Sequence, residues 1–479
     1  MVHYVLNLDD GAMRLTDRAF TDSGTAAINW IYSSYNRAKP YISHGLDRDT
    51  RHPEWTGRLL DAMGRPDAGM YNIAVTGSKG KGSHAILIAA MLQKMGFRVG
   101  LFTGPHLVNF MERFRLNGQI ISEEAFVTYV DELKVIVEEW NLPANEYFGP
   151  VGLLAVVAAK WFADSDTDVN VFELGRGALH DDVNQIQHIG AVLTPVFLEH
   201  TKELGPTYAD VGMEKSGVIT HQTRWAFTHP QTATVQAILE SRCAPSQSLF
   251  TLGDDIKVKG STISGRTCAI DVQTGFGEFQ VLLPAAEYHL ADNVAVALAV
   301  AQRAALDKHP HLSLPARLDV TDLSLPGRLQ TVSEHPRVVV DGTIHGRSAV
   351  LVRNYVREFK RIGERRGRVG AIIGIPADKD GAGVLKTLAD EVDYVVICKA
   401  HNPHLQFDAT LETVAHGLYA DVTGVQYLED ALLVALQKLG SEDLLLVLGT
   451  QSLVGDAMRT FAVDTTSIWR KPSLMETRG

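Results

Sequence analysis

Seven consecutive residues have the types and the order needed to bind a triphosphate. They are Gly77, Ser78, Lys79, Gly80, Lys81, Gly82 and Ser83. Glycines let the backbone curl so that several N–H groups point inward, the N-terminus of a following helix adds partial positive charge, and Lys81 adds a full charge. The stretch departs from the pattern G-x-x-x-x-G-K-S/T because Gly82 follows Lys81. We interpret it as a nucleotide-binding loop, and the alternative is a structural turn.

Three residues farther along the chain are candidates for a cation site. Glu173 ends an apolar run at 168–174, and a carboxylate at the C-terminal edge of a parallel sheet lies where ligands bind. His200 follows another apolar run, with Glu199 beside it, and Lys215 lies in the segment GMEKSGVI. From the residues alone, a solvated surface group is the preferred interpretation of each of the three.

Strand-like and helix-like segments alternate along the chain, which predicts an α/β fold. Strands are expected at 71–76, 98–103, 168–174, 190–197, 337–341, 369–375, 393–398 and 444–449. Short alternating pieces at 250–283 predict a small antiparallel sheet, and a helix is expected over residues 285–306. A proline-rich stretch at 309–328 places a boundary near residue 325. We therefore predict an N-terminal domain (1–325) with a phosphate loop and a central, mostly parallel sheet, followed by a Rossmann-like α/β domain (326–479).

The composition excludes several classes of protein. The chain has 479 residues, and its 45 Lys and Arg against 56 Asp and Glu give a formal net charge of −11, so we expect no nucleic-acid partner. Its three cysteines match no metal-binding spacing and are interpreted as reduced thiols. The longest apolar run, 151–159, is far shorter than the roughly 20 residues of a membrane span. The first residues, MVHYVLNLDDGAM, carry acids where a signal peptide carries basic residues, so we predict a cytoplasmic protein without a membrane partner.

The loop and six further motifs together resemble the folylpolyglutamate synthase and dihydrofolate synthase family of the Mur ligase superfamily. The motifs occur in family order as VFELGRGALHDDVN, LEHTKELGPTYADVGMEKSGVI, LPGRL, VVVDG, GIPADKD and LGTQSLVGDA. The resemblance covers about residues 25–460 and implies ATP-dependent amide formation through an acyl phosphate. It also implies ATP and Mg²⁺ as cofactors, and a small carboxylate and an amino acid or amine as substrates. Because members of the family are often monomers, we expect a monomer.

The resemblance assigns roles to the cation-site candidates. Glu173 matches a ligand of a Mg²⁺ ion near the β- and γ-phosphates, and His200 matches a ligand of a second Mg²⁺ ion. Lys215 matches a lysine that is carbamylated, which gives the second metal a carboxylate where an ammonium would repel it. The resemblance therefore implies Glu173, His200, Lys215 and Ser83 as metal ligands, and Lys81, His200 and Lys215 as catalytic residues.

Further contacts to the nucleotide and the substrates are implied outside the loop. Asn293 matches a helix residue that contacts ATP, Arg328 matches an arginine that contacts its phosphates, and Asp341 matches an aspartate that contacts its ribose. A guanidinium can bind a phosphate with two hydrogen bonds. Four residues have weaker matches and are expected near the substrates or along the cleft between the domains: His345, Arg347, Lys379 and Asp380.

Four departures from the family pattern fall on the metal and substrate sides. The serine of the family motif TSPH, a Mg²⁺ ligand, is Gly104 here. The family segment TxFEFxTALAF is represented by NEYFGPVGLLAV, in which Gly149 and Pro150 replace an acidic and an aromatic residue. The family motif DGAHNP reads DGTIHG at 341–346, and GLGGRLDATN reads GRGALHDDVN at 175–184.

These departures leave several functions open. We favour an ATP-dependent ligase of this type that adds an amino acid to a small carboxylate other than folate, because the nucleotide side is retained and the substrate side is not. The alternative is an authentic folylpolyglutamate or dihydrofolate synthase that adds L-glutamate to folates or dihydropteroate. A second alternative is an inactive nucleotide-binding relative, which Gly104 would explain. A plain ATPase that drives motion is a third.

Overall fold

The computed structural model describes residues 20–43, 45–264, 267–284, 289–362 and 367–470. The N-terminal segment that bears on the predicted location lies outside these ranges. The described residues form two units, one containing 20–106, 110–324 and 466–470 and the other containing 107–109 and 325–465. Within the described ranges, no helix combines the length and the apolar character needed to cross a bilayer.

The first unit is built around a sheet of eight strands. In chain order they are β1 (Asn72–Thr76), β2 (Val99–Phe102), β3 (Phe114–Leu116), β4 (Gln119–Ile120), β5 (Val169–Glu173), β6 (Gly190–Leu193), β7 (Trp225–Thr228) and β8 (Ser248–Thr251). Their order across the sheet is β4-β3-β2-β5-β1-β6-β7-β8. All neighbours from β2 to β8 pair in parallel, whereas β3 and β4 are antiparallel additions. The carboxyl ends of β2, β5, β1 and β6 therefore lie side by side.

Helices supply the rest of the first unit's core. They are α1 (Asp22–Ala38), α2 (Asp47–Thr50), α3 (Pro53–Ala62), α4 (Lys81–Lys94), α5 (Glu123–Val137), α6 (Pro150–Asp164), α7 (Tyr208–Ser216), α8 (Ala233–Arg242) and α9 (Ala291–Lys308). Strands β1, β2, β5, β6 and β7 are buried along their whole length, as expected for a parallel sheet covered on both faces. The apolar run at 151–159 is the interior of α6, which packs in the same core as the aromatic residues of β2 and β5.

A small sheet follows the large one in the chain. It contains β9 (Lys257–Ser264), β10 (Thr267–Thr274), β11 (Gly277–Pro284) and β12 (Arg317–Asp319). The first three strands are antiparallel, and β12 joins β11 in parallel. Part of the segment predicted as a helix over residues 285–306 lies outside the described residues; the observed helix is α9.

The second unit has a six-stranded sheet with the order β13-β14-β18-β15-β16-β17. Its strands are β13 (Gln330–Glu334), β14 (Arg337–Asp341), β15 (Val369–Gly374), β16 (Tyr394–Lys399), β17 (Val422–Tyr427) and β18 (Leu444–Gly449). Its helices are α10 (Gly346–Ile362), α11 (Gly381–Leu388), α12 (Thr410–Leu418), α13 (Leu428–Leu436) and α14 (Gln451–Thr460). Only β13 runs antiparallel to its neighbour. The predicted fold class, with a mostly parallel sheet, a small additional sheet and a second α/β unit, is confirmed.

Candidate active site

The predicted nucleotide-binding loop joins β1 to the first turn of α4. Gly77 and Gly80 have φ angles of 135° and 91°, which side chains rarely adopt, and a Cβ on Gly77 would lie 2.9 Å from Cβ of Thr194. The N–H of Ser78 donates to the carbonyl of Pro195 at 3.0 Å, so the loop is fastened to the segment after β6. Lys79 is exposed, and α4 begins at Lys81. The loop therefore presents the N–H groups of a helix N-terminus, which suit an anion.

Two lysines from distant parts of the chain meet at one carbonyl of this loop. Lys81 Nζ and Lys215 Nζ each donate to the carbonyl of Gly77 at 3.0 Å. Lys215 lies on α7 and is completely buried, and its Nζ also donates to the carbonyl of Arg176 at 2.6 Å. Burial, followed by repulsion from Lys81, lowers the pKa of Lys215 to about 8. Roughly one tenth of this amine is therefore neutral at pH 7.

The carboxylate of Glu199 lies near both Lys215 and His200. Its Oε1 lies 3.0 Å from Lys215 Nζ, and its Oε2 lies 3.9 Å from His200 Nε2. His200 has a φ of 47° and a partly exposed ring. The structure thus brings together His200 and Lys215, as expected, through a carboxylate to which the sequence analysis gave no role.

Glu173 lies beside the first turn of α4. Its Oε2 accepts the N–H of Gly104 at 3.1 Å, and a Cβ on Gly82 would lie 3.3 Å from the same oxygen. Ser83, the next residue of α4, is buried. Glu173 is at the end of β5 and Gly104 follows β2, so neighbouring parallel strands bring both to one sheet edge.

The oxygens of Glu173 and Ser83 can be compared with the ligands that a Mg²⁺ ion requires. Among the residues that the structure describes, no three or more His, Cys, Asp or Glu side chains form a ready-made metal cage. Mg²⁺ requires few protein ligands when phosphates and water complete its shell, so the Glu173 carboxylate and the Ser83 hydroxyl fit such an ion. The ammonium form of Lys215 would repel a cation and cannot be its ligand. A side chain at position 104 would meet Arg113, whose Nη1 lies 3.3 Å from the site of a Cβ there.

Asn293 is the remaining predicted nucleotide contact in this unit. It lies in the first turn of α9, and its Nδ2 is 3.7 Å from the position of a Cβ on Gly80. Next to it are two buried histidines that the sequence analysis did not single out: His84 on α4 and His229 after β7. Burial lowers the pKa of His84 to about 4 and that of His229 to about 3.

The predicted residues of the second unit form two groups near the ends of its strands. Arg328 packs against Gly342, and the Asp341 carboxylate accepts the N–H of Leu329 at 2.9 Å. The other group surrounds the start of α10: the N–H of Gly346, beside His345, donates to Asp380 at 2.9 Å. Arg347 is exposed, and Lys379 pairs with Asp378 at 2.9 Å. Asp380 also caps α11 through the N–H of Gly383.

The altered segment at 149–152 packs against the altered segment at 175–184. Asp182 is buried, and Thr56 Oγ1 donates to its Oδ1 at 3.1 Å. A Cβ on Gly149 would lie 2.6 Å from Cγ of Asp182, and a Cβ on Gly152 would lie 2.9 Å from Cβ of Asp182. The Asp182 carboxylate therefore occupies the space that a side chain at 149 would need, and Thr56 together with Asp182 fills the space beside Gly152. Two of the departures from the family pattern, at 149–152 and at 175–184, are therefore in contact in the folded protein.

Replacing Gly149 by alanine is expected to destabilise the protein by about 1–3 kcal/mol, because the added Cβ overlaps a buried carboxylate. Urea denaturation measures the change. Gly260→Ala is the control, since a Cβ there meets nothing within 4 Å. In an Asp182→Ala background the Gly149→Ala penalty should largely disappear; an unchanged penalty would contradict the proposed overlap.

Asp182 should also give the protein a specific pH dependence of stability. Burial raises its pKa from 3.8 to about 6, so between these values the folded state binds more protons than the unfolded state. Stability should therefore fall as pH rises through this window, by about 2–3 kcal/mol for this group. Asp182→Asn should remove that contribution and be relatively more stable at pH above 6. Parallel wild-type and variant profiles of unfolding free energy against pH would refute the expectation.

Comparison with known proteins finds similarity to ligases. The family described as Mur ligase, glutamate ligase domain, matches residues 327–451. The dihydrofolate synthase/folylpolyglutamate synthase of Bacillus subtilis (strain 168) is 27% identical over 452 residues, which cover 90% of this chain and 97% of the relative. The enzyme of the same name from Escherichia coli (strain K12) is 28% identical, with 90% and 94% covered.

A solved structure is also similar. Mycobacterium tuberculosis folylpolyglutamate synthase complexed with ADP and AMPPCP superposes with a TM-score of 0.76 and 22% identity, covering 92% of this chain and 99% of that one. At this identity the likeness establishes the fold.

Proposed function

We propose that this chain, which belongs to the folylpolyglutamate synthase and dihydrofolate synthase family of Mur ligases, uses ATP to join L-glutamate to a folate or to dihydropteroate. It is an ATP-dependent ligase that forms C–N bonds. The observation that carries the proposal is the meeting of Lys81 and Lys215 at the Gly77 carbonyl, with Glu199 on Lys215. A phosphate loop that served only ATP hydrolysis would not need the second, buried lysine.

The proposed reaction has two steps. A carboxylate oxygen of the acceptor attacks the γ-phosphorus of ATP, the bond to the β–γ bridging oxygen breaks, and ADP leaves an acyl phosphate. The amine nitrogen of glutamate then attacks the acyl carbon, loses a proton, and phosphate departs with its bridging oxygen. Phosphoryl transfer depends on positioning and on charge neutralisation, which Lys81 and the loop N–H groups can provide.

The remaining residues of the first unit support this chemistry in the proposal. Glu173 and Ser83 would hold a Mg²⁺ ion, which when bound would neutralise charge on the β- and γ-phosphates. The low pKa of Lys215 favours the neutral amine that reacts with CO₂: an N–C bond forms, a proton leaves, and a carbamate results. That carbamate and His200 would hold a second Mg²⁺ ion. His200 would also steady the negative charge that develops in the tetrahedral intermediate.

The assignments in the second unit stay predictions. Arg328 and Asp341 are proposed to contact ATP, and His345, Arg347, Lys379 and Asp380 are proposed to lie near the substrates. The division into an ATP-binding domain (1–325) and a ligase domain (326–479) has the same standing, as do the monomeric state and the cytoplasmic location.

The comparisons change which acceptor is favoured. The sequence departures favoured a carboxylate other than folate. The relatives that cover nine tenths of this chain are named dihydrofolate synthase/folylpolyglutamate synthase, which supports the folate alternative instead. Gly149 and Gly152 pack against the buried Asp182, so packing within the unit gives these two departures an explanation that does not require a different acceptor.

The test supplies the protein with ATP, MgCl₂ and L-glutamate together with either dihydropteroate or tetrahydropteroylglutamate. We expect release of ADP that requires both the acceptor and glutamate, and mass spectrometry should identify the new amide. A pterin without a carboxylate is the control acceptor, and L-alanine is the control amine. Binding of ATP without amide from either acceptor would contradict the folate proposal; pooled carboxylates and amino acids would then reveal a ligase of other specificity.

A further inference from the structure

We propose that His84 and His229 form a buried pair that positions the phosphate loop by fixing the direction of the Gly80 carbonyl. His84 is the fourth residue of α4, and His229 directly follows β7. Their Nε2 atoms are 2.8 Å apart, and the rings meet edge to face with centroids 4.9 Å apart. The role of this pair rests on the proposed use of ATP at the loop.

The carbonyl of Gly80 is held by two donors from the same residue. The backbone N–H of His84 donates to it at 2.9 Å, and Nδ1 of the His84 ring lies 2.8 Å from it. Gly80 is the left-handed residue at which the chain enters α4. Because a peptide group is planar and trans, fixing this carbonyl also fixes the N–H of Lys81, which points the opposite way. The second hydrogen bond therefore sets the orientation of a loop N–H.

The hydrogen-bond chemistry assigns a tautomer to each ring. A carbonyl oxygen can only accept, so Nδ1 of His84 must carry the proton, which leaves Nε2 as an acceptor in the neutral ring. An Nε2–Nε2 contact at 2.8 Å then requires His229 to donate from its Nε2. If His229 carried its proton on Nδ1 instead, two lone pairs would face each other. The Gly80 carbonyl thus fixes the His84 proton on Nδ1, and His229 supplies the donor that satisfies the buried Nε2 acceptor of His84.

The surroundings indicate a positioning role. Two imidazoles are withdrawn from water here, which is costly unless their polar atoms are paired, and a satisfied polar pair in a core specifies geometry that apolar packing does not. The pair also lies against the nucleotide side. A Cβ on Gly80 would be 3.5 Å from His84 Nδ1 and 3.7 Å from Asn293 Nδ2. A change in the orientation of the Gly80 peptide group would therefore alter the loop next to Asn293, a predicted ATP contact.

The experiment compares two substitutions at position 229 and measures ATP binding in MgCl₂ by calorimetry, with no acceptor present. In His229→Gln the amide can still donate to Nε2 of His84, and we expect the Kd to stay within about threefold of wild type. In His229→Leu the donor is lost while an acceptor stays buried, and we expect the Kd for ATP to rise about tenfold or more. His84→Leu, which removes both hydrogen bonds of the ring, should match or exceed that loss.

His188 provides the matched control. It is also a buried histidine of the first unit, and its ring nitrogens lie 2.9 and 2.7 Å from the carbonyls of Ile186 and Val218. His188→Leu should lower the melting temperature and leave the Kd for ATP unchanged. This control separates a positioning role from a general loss of stability.

Nitrogen chemical shifts in protein labelled with ¹⁵N-histidine give a readout that does not depend on activity. His84 should carry its proton on Nδ1 in the wild type and in His229→Gln, and His229 should carry its proton on Nε2 in the wild type. Protonation of His84 on Nε2, or wild-type ATP affinity in folded His229→Leu, would overturn the proposal. A wild-type protein that shows the expected tautomers and binds ATP but forms no amide would overturn the proposed function alone.

Discussion

Replacing Lys215 by methionine is expected to lower kcat for amide formation by at least about 100-fold, because it removes a charged group next to the phosphate loop. Methionine keeps much of the volume of the buried side chain, so the variant should fold. ADP release in the presence of acceptor and glutamate measures the rate, and calorimetry measures ATP binding, which should persist. Lys160→Met is the control, since Lys160 forms a surface ion pair with Asp164 at 2.6 Å.

The same variant tests the carbamate. At a pKa of about 8 the neutral amine amounts to roughly one tenth of Lys215 at pH 7, far more than for an ordinary lysine. Wild-type protein in ¹³C-labelled bicarbonate should therefore show a carbamate carbon signal that Lys215→Met lacks. Full ligase activity in Lys215→Met would remove this lysine from the mechanism, and an identical carbon signal in both proteins would place the carbamate elsewhere.

Replacing Lys81 by methionine should lower kcat/KM for ATP by about 100- to 1000-fold, since the substitution removes the positive charge that is proposed to neutralise the phosphates. Loss of a neighbouring positive charge should also raise the pKa of Lys215, so carbamate formation should shift to higher pH. Steady-state kinetics and the carbon signal measured against pH check both effects.

Lys94→Met, at the other end of the same helix, is the matched control for Lys81. Lys94 pairs with Asp322 at 2.9 Å, far along α4 from the loop. Its loss should leave both kcat/KM and the pH profile unchanged. Equal effects of the two substitutions would show that α4 responds to any lost lysine, and the specific role of Lys81 would be contradicted.

The parts of the molecule that could be predicted are those encoded locally. The loop at 77–83 combines a buried strand, glycines and a helix start in consecutive residues, so its position and its helix follow from short-range rules. Most of the buried strands are short apolar runs and were predicted to within a few residues, but the buried strand β7 was missed. Strand β17 alternates partly exposed residues and was missed because no apolar run marks it.

The parts that could not be predicted depend on distant residues meeting in space. Lys215 lies 138 positions from the carbonyl of Gly77 that it contacts. No spacing in the sequence predicts that contact. Lys215 was one of three candidates for a cation site, and only the family resemblance gave it a role. The sequence analysis gave Glu199 no role, because a carboxylate beside a histidine is common. Its place in the site follows only from its contact with Lys215 in the structure.

The histidine pair was missed for a related reason. A histidine in the otherwise apolar helix sequence SHAILIAAML is a detectable signal, since it must find a partner once buried. Its partner, however, lies 145 positions away. A search for isolated polar residues in buried helices would have found His84 without revealing His229.

The packing of Asp182 against Gly149 also limits which residues can stand together at these two positions. A side chain at 149 and the present orientation of the aspartate compete for the same space, so the two positions are coupled. A larger residue at 149 is therefore expected to be tolerated best when position 182 carries a smaller one.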